Sequence, residues 1–374
     1  MPGSMETARG HGGATARAAG RGSAGKPVLA AAAVVAVVGA GVVAYAYLPG
    51  EEPASPRGVA AASTPSGATP TPSGATPTPG TASRKASPRA RAVTSGPACG
   101  AGLDRVWANW PMPNPRTPGL PNPARYTARG DGTVRDHVTC LVWQRVPAPK
   151  TYTFTQAKTY CAGLRLAGGG WHLPTRIELT SIIDVTRANP AIDPAAFPGT
   201  PPGFFWTSSP WAYRKEPLRA WIVNFYEGLA GNAAHQSGAF KARCVRSPSG
   251  AGRPAYRITG GQVTDPATGL TWQRATAPGT VSAPAATAYC ARLRLGGHTS
   301  WRLPSIKELA TTVDESRGGP AVDQAAFPGT VGKGWYWSSS RSHPQPAKRW
   351  GLSYDDGYTD YRNITTGHAR CVRG

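Results

Sequence analysis

"WHLPTRIEL" (Trp171–Leu179) and "WRLPSIKEL" (Trp301–Leu309) are nearly the same nine residues, written 130 positions apart in one chain. Both contain the pattern Ser/Thr-x-x-Glu: Thr175 with Glu178, and Ser305 with Glu308. That pattern is a capping box, in which the hydroxyl accepts from the amide three residues on and the glutamate reaches back to the cap amide. Pro174 and Pro304 keep the residue before them extended, which suits a chain entering a helix. The apolar set Ile177, Leu179, Ile182 and Ile183 predicts the buried stripe of that helix. Glu178 and Glu308 invite a catalytic reading, but capping accounts for them without chemistry.

The echo is one of six landmarks that recur in the same order. "LVWQR" (141–145) returns as "LTWQR" (270–274), and "YCAGLRL" (160–166) as "YCARLRL" (289–295). "AAFPGT" occurs at 195–200 and 325–330, "FWTSS" (205–209) matches "YWSSS" (336–340), and "ARCVR" occurs at 242–246 and 369–373. The offsets stay between 127 and 131, so the chain holds a tandem duplication of about 120 residues, roughly 126–246 and 256–373. Two copies are too few for a solenoid, and each is long enough for its own core. Ala157, Tyr160, Cys161 and Leu164 fall on one helical face, as do Ala286, Tyr289, Cys290 and Leu293. "LVWQR", "FWTSS" and "AWIVNFY" (220–226) read as strands. Each copy is therefore expected as a strand, two helices and several further strands, an α+β unit.

The remainder of the chain differs in composition. Residues 1–27 are small, polar and basic and read as disordered. Val28–Leu48 is a run of 21 residues without a charge, long enough to span ~30 Å of hydrocarbon at ~1.5 Å per residue. Basic residues precede it and Glu51 and Glu52 follow, so the expected orientation is N-terminus cytoplasmic and the repeats outside the cell. A cleaved signal peptide, with "AYA" (44–46) as the processing site, is the rival, although the run exceeds the usual ~7–15 apolar residues. Residues 49–98, with "PSGATPT" at 65–71 and 72–78, read as a Pro/Thr/Ser/Gly-rich stalk. All 12 tryptophans lie beyond it, in the expected domains 99–248 (with an N-terminal extension) and 249–374.

An exported chain sees oxidising conditions, so its six cysteines should pair. The symmetry of the duplication selects Cys161–Cys244 and Cys290–Cys371, which leaves Cys99 for Cys140. No CxxC motif occurs, and no histidine and cysteine cluster has zinc spacing, so neither metal nor cofactor is expected. The seven histidines do not match between the copies; His172, for instance, aligns with Arg302. No nucleophile motif is present, and the expectation is a protein that is not an enzyme.

"TGLTWQR", "AYCARLRLGG", "WRLPSIKELATTVD", "WYWSSS" and the terminal "ARCVR" resemble the Lcl C-terminal domain family of bacterial surface proteins. The resemblance covers both copies, and neither the apolar segment nor the stalk. It implies a C-type-lectin-like fold: two helices on twisted antiparallel strands, with a bridge from the first helix to the last strand. Formylglycine-generating enzymes share the broader fold and a similar "RLPTE" turn, but their catalytic cysteine arrangement has no match here. The "EPN", "QPD" and "WND" motifs of calcium-dependent lectins are missing too, which argues against calcium-dependent sugar binding.

The chain carries 41 Lys and Arg against 19 Asp and Glu, a formal net charge of +22. From Cys99 onward the count is 32 against 16. Such a surplus predicts attraction to polyanions. For an exported chain the expected partner is an acidic polysaccharide or envelope polymer rather than nucleic acid, with the membrane engaged through the apolar segment. A GC-rich genome would produce the same arginine bias. The local candidates are two basic loops between "WSS"-type strands and the next tryptophan: Trp211, Tyr213, Arg214, Lys215 and Arg219 in the first copy, and Arg341, His343, Lys348 and Arg349 in the second. Arginine presents a planar donor fork suited to sulfate, phosphate or carboxylate. The acidic stretch "YDDGYTDYR" (354–362), with Asp355, Asp356 and Asp360, lacks cation-loop spacing and has only Glu227 as its counterpart, so it reads as a turn around Gly357.

Overall fold

The computed structural model describes residues 111–211, 218–247 and 255–374. The apolar segment 28–48, the stalk and Cys99 lie outside these residues. Among the described residues no helix is long and apolar enough to cross a membrane.

Each copy builds the same elements. The first has β1 (Tyr126–Ala128), β2 (Thr133–Asp136), β3 (Val142–Gln144), α1 (Phe154–Gly163), α2 (Arg176–Ser181), β4 (Phe204–Pro210), β5 (Arg219–Asn224), β6 (Leu229–His235) and β7 (Val245–Arg246). The second has β8 (Arg257–Thr259), β9 (Gln262–Thr264), β10 (Thr271–Gln273), α3 (Ala283–Arg292), α4 (Ile306–Ala310), β11 (Trp335–Arg341), β12 (Arg349–Ser353), β13 (Thr359–Asp360) and β14 (Val372–Arg373). Two short strands precede the "WQ" strand in each copy, so three strands stand where the sequence pattern shows that one alone. A four-stranded antiparallel sheet (β1-β2-β3-β7, matched by β8-β9-β10-β14) closes the ends of each copy, and a three-stranded sheet (β4-β5-β6, matched by β11-β12-β13) forms its middle. Two tandem β-rich domains, with four α-helices among the described residues, fit an α+β class.

Both capping boxes form. Thr175 Oγ1 accepts from the Glu178 amide while a Glu178 carboxylate oxygen accepts from the Thr175 amide at 2.7 Å. Ser305 and Glu308 repeat this at 2.7 Å. The residues that aligned as His172 and Arg302 are equivalent in place as well as in number. Each lies against the cap glutamate, His172 Nε2 at 3.2 Å from Glu178 and Arg302 at 2.6 and 2.7 Å from Glu308. Both glutamates are buried and fully engaged, so their role is structural.

Helix α2 is shorter than its apolar stripe suggested. It ends at Ser181, whose hydroxyl donates to the Glu178 carbonyl, a side-chain bond that competes with helix propagation. Ile182 and Ile183 lie beyond it, yet all four apolar residues are buried. The disulfides Cys161–Cys244 and Cys290–Cys371 are present, with Cα–Cα separations of 5.3 and 5.4 Å. Cys140 is also disulfide-bonded. The glutamine of each "WQR" strand ties helix to bridge: Gln144 donates to Tyr160 and accepts from the Cys244 amide, and Gln273 does the same with Tyr289 and Cys371.

The copies are not independent beads. Each has a private core around its disulfide, with Trp171, Trp206 and Ile222 in the first and Trp301, Trp337 and Ile364 in the second. A third core is shared and joins Leu179, Ile183 and Val223 to Leu309, Val313 and Leu352. Here α2 packs on α4 and β6 on β13. Thr359 Oγ1 both accepts from the Ala230 amide and donates to its carbonyl, each at 3.1 Å. Gly357, at φ +86°, lets the second copy approach closely: a Cβ there would come within 2.6 Å of Val313 Cγ1 and as near to the Arg176 guanidinium.

Candidate functional site

The basic surplus divides into buried and accessible cations, and only the second kind can meet a partner. Arg176, on α2, is buried between the copies. Its Nε lies 2.9 Å from Glu315 of the second copy, its guanidinium covers the Trp221 ring at 4.1 Å, and Ser209 donates its hydroxyl to the other Glu315 oxygen. Lys307, on α4, donates to the carbonyls of Pro113 and Ser181 at 2.7 and 2.8 Å. It thus caps the end of α2 and holds the extension that precedes the first copy. Burial pushes its ammonium down to about 8, against the opposing pull of Asp184 and Asp136. Arg243 and Arg370, the arginines of the two "ARCVR" motifs, are wholly buried over Phe197 and Phe327. They donate to threonines of the "FPGT" turns, and burial lowers Arg243 to about 9. These four cations hold the fold together and are withdrawn from the surface.

Of the first basic loop, Tyr213, Arg214 and Lys215 lie outside the described residues. Trp211 packs edge-on against Trp221, and its indole lies beside the Asp356 carboxyl of the second copy. Arg219, at the start of β5, covers the Trp211 ring at 5.9 Å. The described part of this loop therefore joins the contact between the copies.

The second basic loop lies over a groove of about 450 Å³. Strands β11 and β12 carry its cations: Arg341 and Arg349 are register partners across the hairpin, and Lys348 precedes Arg349. Arg341 donates to the Pro346 carbonyl at 3.1 Å and Arg349 to the Ser339 carbonyl at 2.7 Å, so carbonyls set both side chains and neutralise neither. Burial lowers the Arg349 pKa, and the neighbouring Arg341 charge lowers it further. Ser282, Ala283 and Pro284, at the start of α3, form one wall; Trp337 and Ile364 supply apolar surface, and Thr365 a hydroxyl. No carboxylate is among the lining residues. His343 is exposed on the loop outside the groove.

Among the described residues, the first copy lines the same place differently. Phe154, the counterpart of Ala283, stacks edge-on against Trp206 at 5.6 Å, and Phe240 stacks on the same tryptophan at 4.9 Å. Pro210 and Ala220, register partners there, replace Arg341 and Arg349. Thr153 caps α1 through a full capping box with Gln156, whereas Ser282 makes no side-chain capping bond and Ala285 replaces the glutamine. Sequence reasoning found the cations of the groove but missed its floor and wall. The signal was available in the exchange of Phe154 for Ala283 between otherwise matched copies.

The acidic stretch forms a turn. Asp356 accepts from the Tyr358 amide at 3.0 Å, and Asp360 accepts from Arg362. Glu227, its counterpart in the first copy, reaches the Tyr361 hydroxyl of the second. Among the described residues no three His, Cys, Asp or Glu side chains gather where they could hold a metal ion.

No curated protein matches the chain. The sequence profile of the Lcl C-terminal domain matches residues 132–246 and again 261–373, which is more than half of the chain. These two ranges coincide with the disulfide-pinned copies described above, and the chain therefore belongs to the Lcl C-terminal domain family.

Proposed function

We propose that this is a surface-displayed, non-catalytic binding protein, held at the membrane by the apolar segment 28–48 and raised on the stalk 49–98. Its two lectin-like modules recognise an acidic extracellular polysaccharide or cell-envelope polymer. The single observation that carries the reading is the groove of the second module, where Arg341, Lys348 and Arg349 converge and no acid lines the wall. Arginine and lysine side chains fixed near an apolar surface attract anions more strongly than the same charges in open water. Arg214, Lys215, Arg219 and Trp211 of the first loop extend the basic character of the ectodomain.

Retention on immobilised heparin tests the reading. It should be strong at low ionic strength and fall steeply between about 0.05 and 0.3 M salt, where the Debye length shrinks below ~10 Å. Arg341→Glu together with Arg349→Glu should release the protein at markedly lower salt, and Arg214→Glu with Arg219→Glu by a smaller margin. Absent or salt-insensitive retention overturns it.

A further inference from the structure

We infer that the second module alone takes the ligand and that what it seats is a single anionic sugar ring, with Ala283 as the position that admits it. This rests on the polyanion reading above and names the unit recognised and the module that recognises it.

Three observations converge. The groove volume, about 450 Å³, falls in the range of ~300–1,000 Å³ typical of small-molecule sites, whereas a chain held only by its charges needs no concavity. Its lining is split by chemistry. Ala283, Pro284, Ala347, Trp337 and Ile364 are apolar, while Arg341, Lys348 and Arg349 are cationic. A bare sulfate or phosphate would use only the cations; a neutral sugar would use only the apolar surface. A pyranose carrying a carboxylate or sulfate uses both, its C–H face on the apolar side and its anion among the three cations. Finally, alanine stands at the first position of the helix that forms the groove's wall. Phe154 at the same position in the first module lies on Trp206, and Pro210 and Ala220 remove the two arginines there. Among the described residues, only the second module combines an alanine at this helix start with the arginine pair.

The test titrates the full chain with glucuronate, glucose and inorganic sulfate by isothermal calorimetry. Glucuronate should bind with a stoichiometry of one per chain, at least tenfold more tightly than either glucose or sulfate. Ala283→Phe should weaken glucuronate at least tenfold while circular dichroism and the melting temperature stay unchanged. Because Ala283 is half-buried at a helix start, Lys348→Ala serves as a second variant in case that one misfolds, and it should weaken glucuronate about three- to tenfold. A stoichiometry of two, sulfate bound as tightly as glucuronate, or indifference to both substitutions overturns the inference. Heparin retention that persists with no glucuronate binding overturns the inference and leaves the polyanion reading standing. Loss of heparin retention in the wild type overturns that reading itself.

Discussion

The two modules share a disulfide, a capping box, a glutamine strut and a buried arginine, yet they differ at key positions of their contact and at the groove. At their contact the differences are paired. Arg176 meets Glu315, while the symmetry-related positions hold Ile306 and Val185, which are apolar. Lys307 caps the first module's helix, while its counterpart Ile177 packs with Met112. A contact between two identical modules would have set like against like. The residues in this contact are complementary between a first and a second module. Internal positions common to both modules are constrained by packing, and several of the changed positions lie at the contact between them.

The largest expected effect tests what the modules share. Replacing Cys161 and Cys244 by alanine, or Cys290 and Cys371, should cost about 4–5 kcal/mol in either module, since the closed loops are nearly equal, with separations of 83 and 81. Chemical denaturation checks this; a clear inequality would mean that one module's shared core supports it more than the other's.

Next comes the contact. Glu315→Gln leaves the Arg176 charge buried without its partner and should destabilise the protein by about 3–5 kcal/mol. Combining Arg176→Ile with Glu315→Val, which copies the apolar side of the same contact, should restore much of that loss. A double-mutant cycle that shows no coupling would refute the pairing as the source of specificity.

Lys307 gives the contact a pH dependence. Its folded pKa, about 8, lies below the ordinary lysine value, so between about 8 and 10.5 the unfolded chain binds the extra proton. Stability should therefore rise with pH through that window, by about 3 kcal/mol from this group, and be lost as pH falls back through 8. Denaturation midpoints between pH 7 and 10.5 measure it, and Lys307→Met should flatten the rise.

The smallest effect separates the two first helices. Thr153→Ala removes a capping box and should cost about 1 kcal/mol, whereas Ser282→Ala removes no capping bond and should cost a few tenths at most. Equal losses would show that Ser282 caps α3 in solution after all.

Much of this was legible in the residues. The duplication, both capping boxes and the two module disulfides follow from identity and spacing, because capping and pairing within a module depend on nearby or symmetry-fixed positions. The cations of the groove were also visible. Its selectivity was not, because Ala283, Trp337 and Ile364 are unremarkable as letters and become a wall and floor only when the start of α3 is brought beside β11 and the loop before β14. The surface charge was overstated for a related reason: Arg176, Lys307, Arg243 and Arg370 count as positive in composition but are buried.

What the sequence determined by itself was the module: its number, its helix starts, its covalent staples and its basic loop. Those features arise from local hydrogen bonding and from repetition, which a linear chain displays directly. Only the tertiary structure decided that the modules share a core across Arg176–Glu315 and Lys307, and that Ala283 opens onto a groove beside Trp337. Both are settled by packing between residues far apart in the chain, 139 positions for Arg176 and Glu315 and 54 for Ala283 and Trp337, where the size of one side chain decides whether space is filled or left for a ligand.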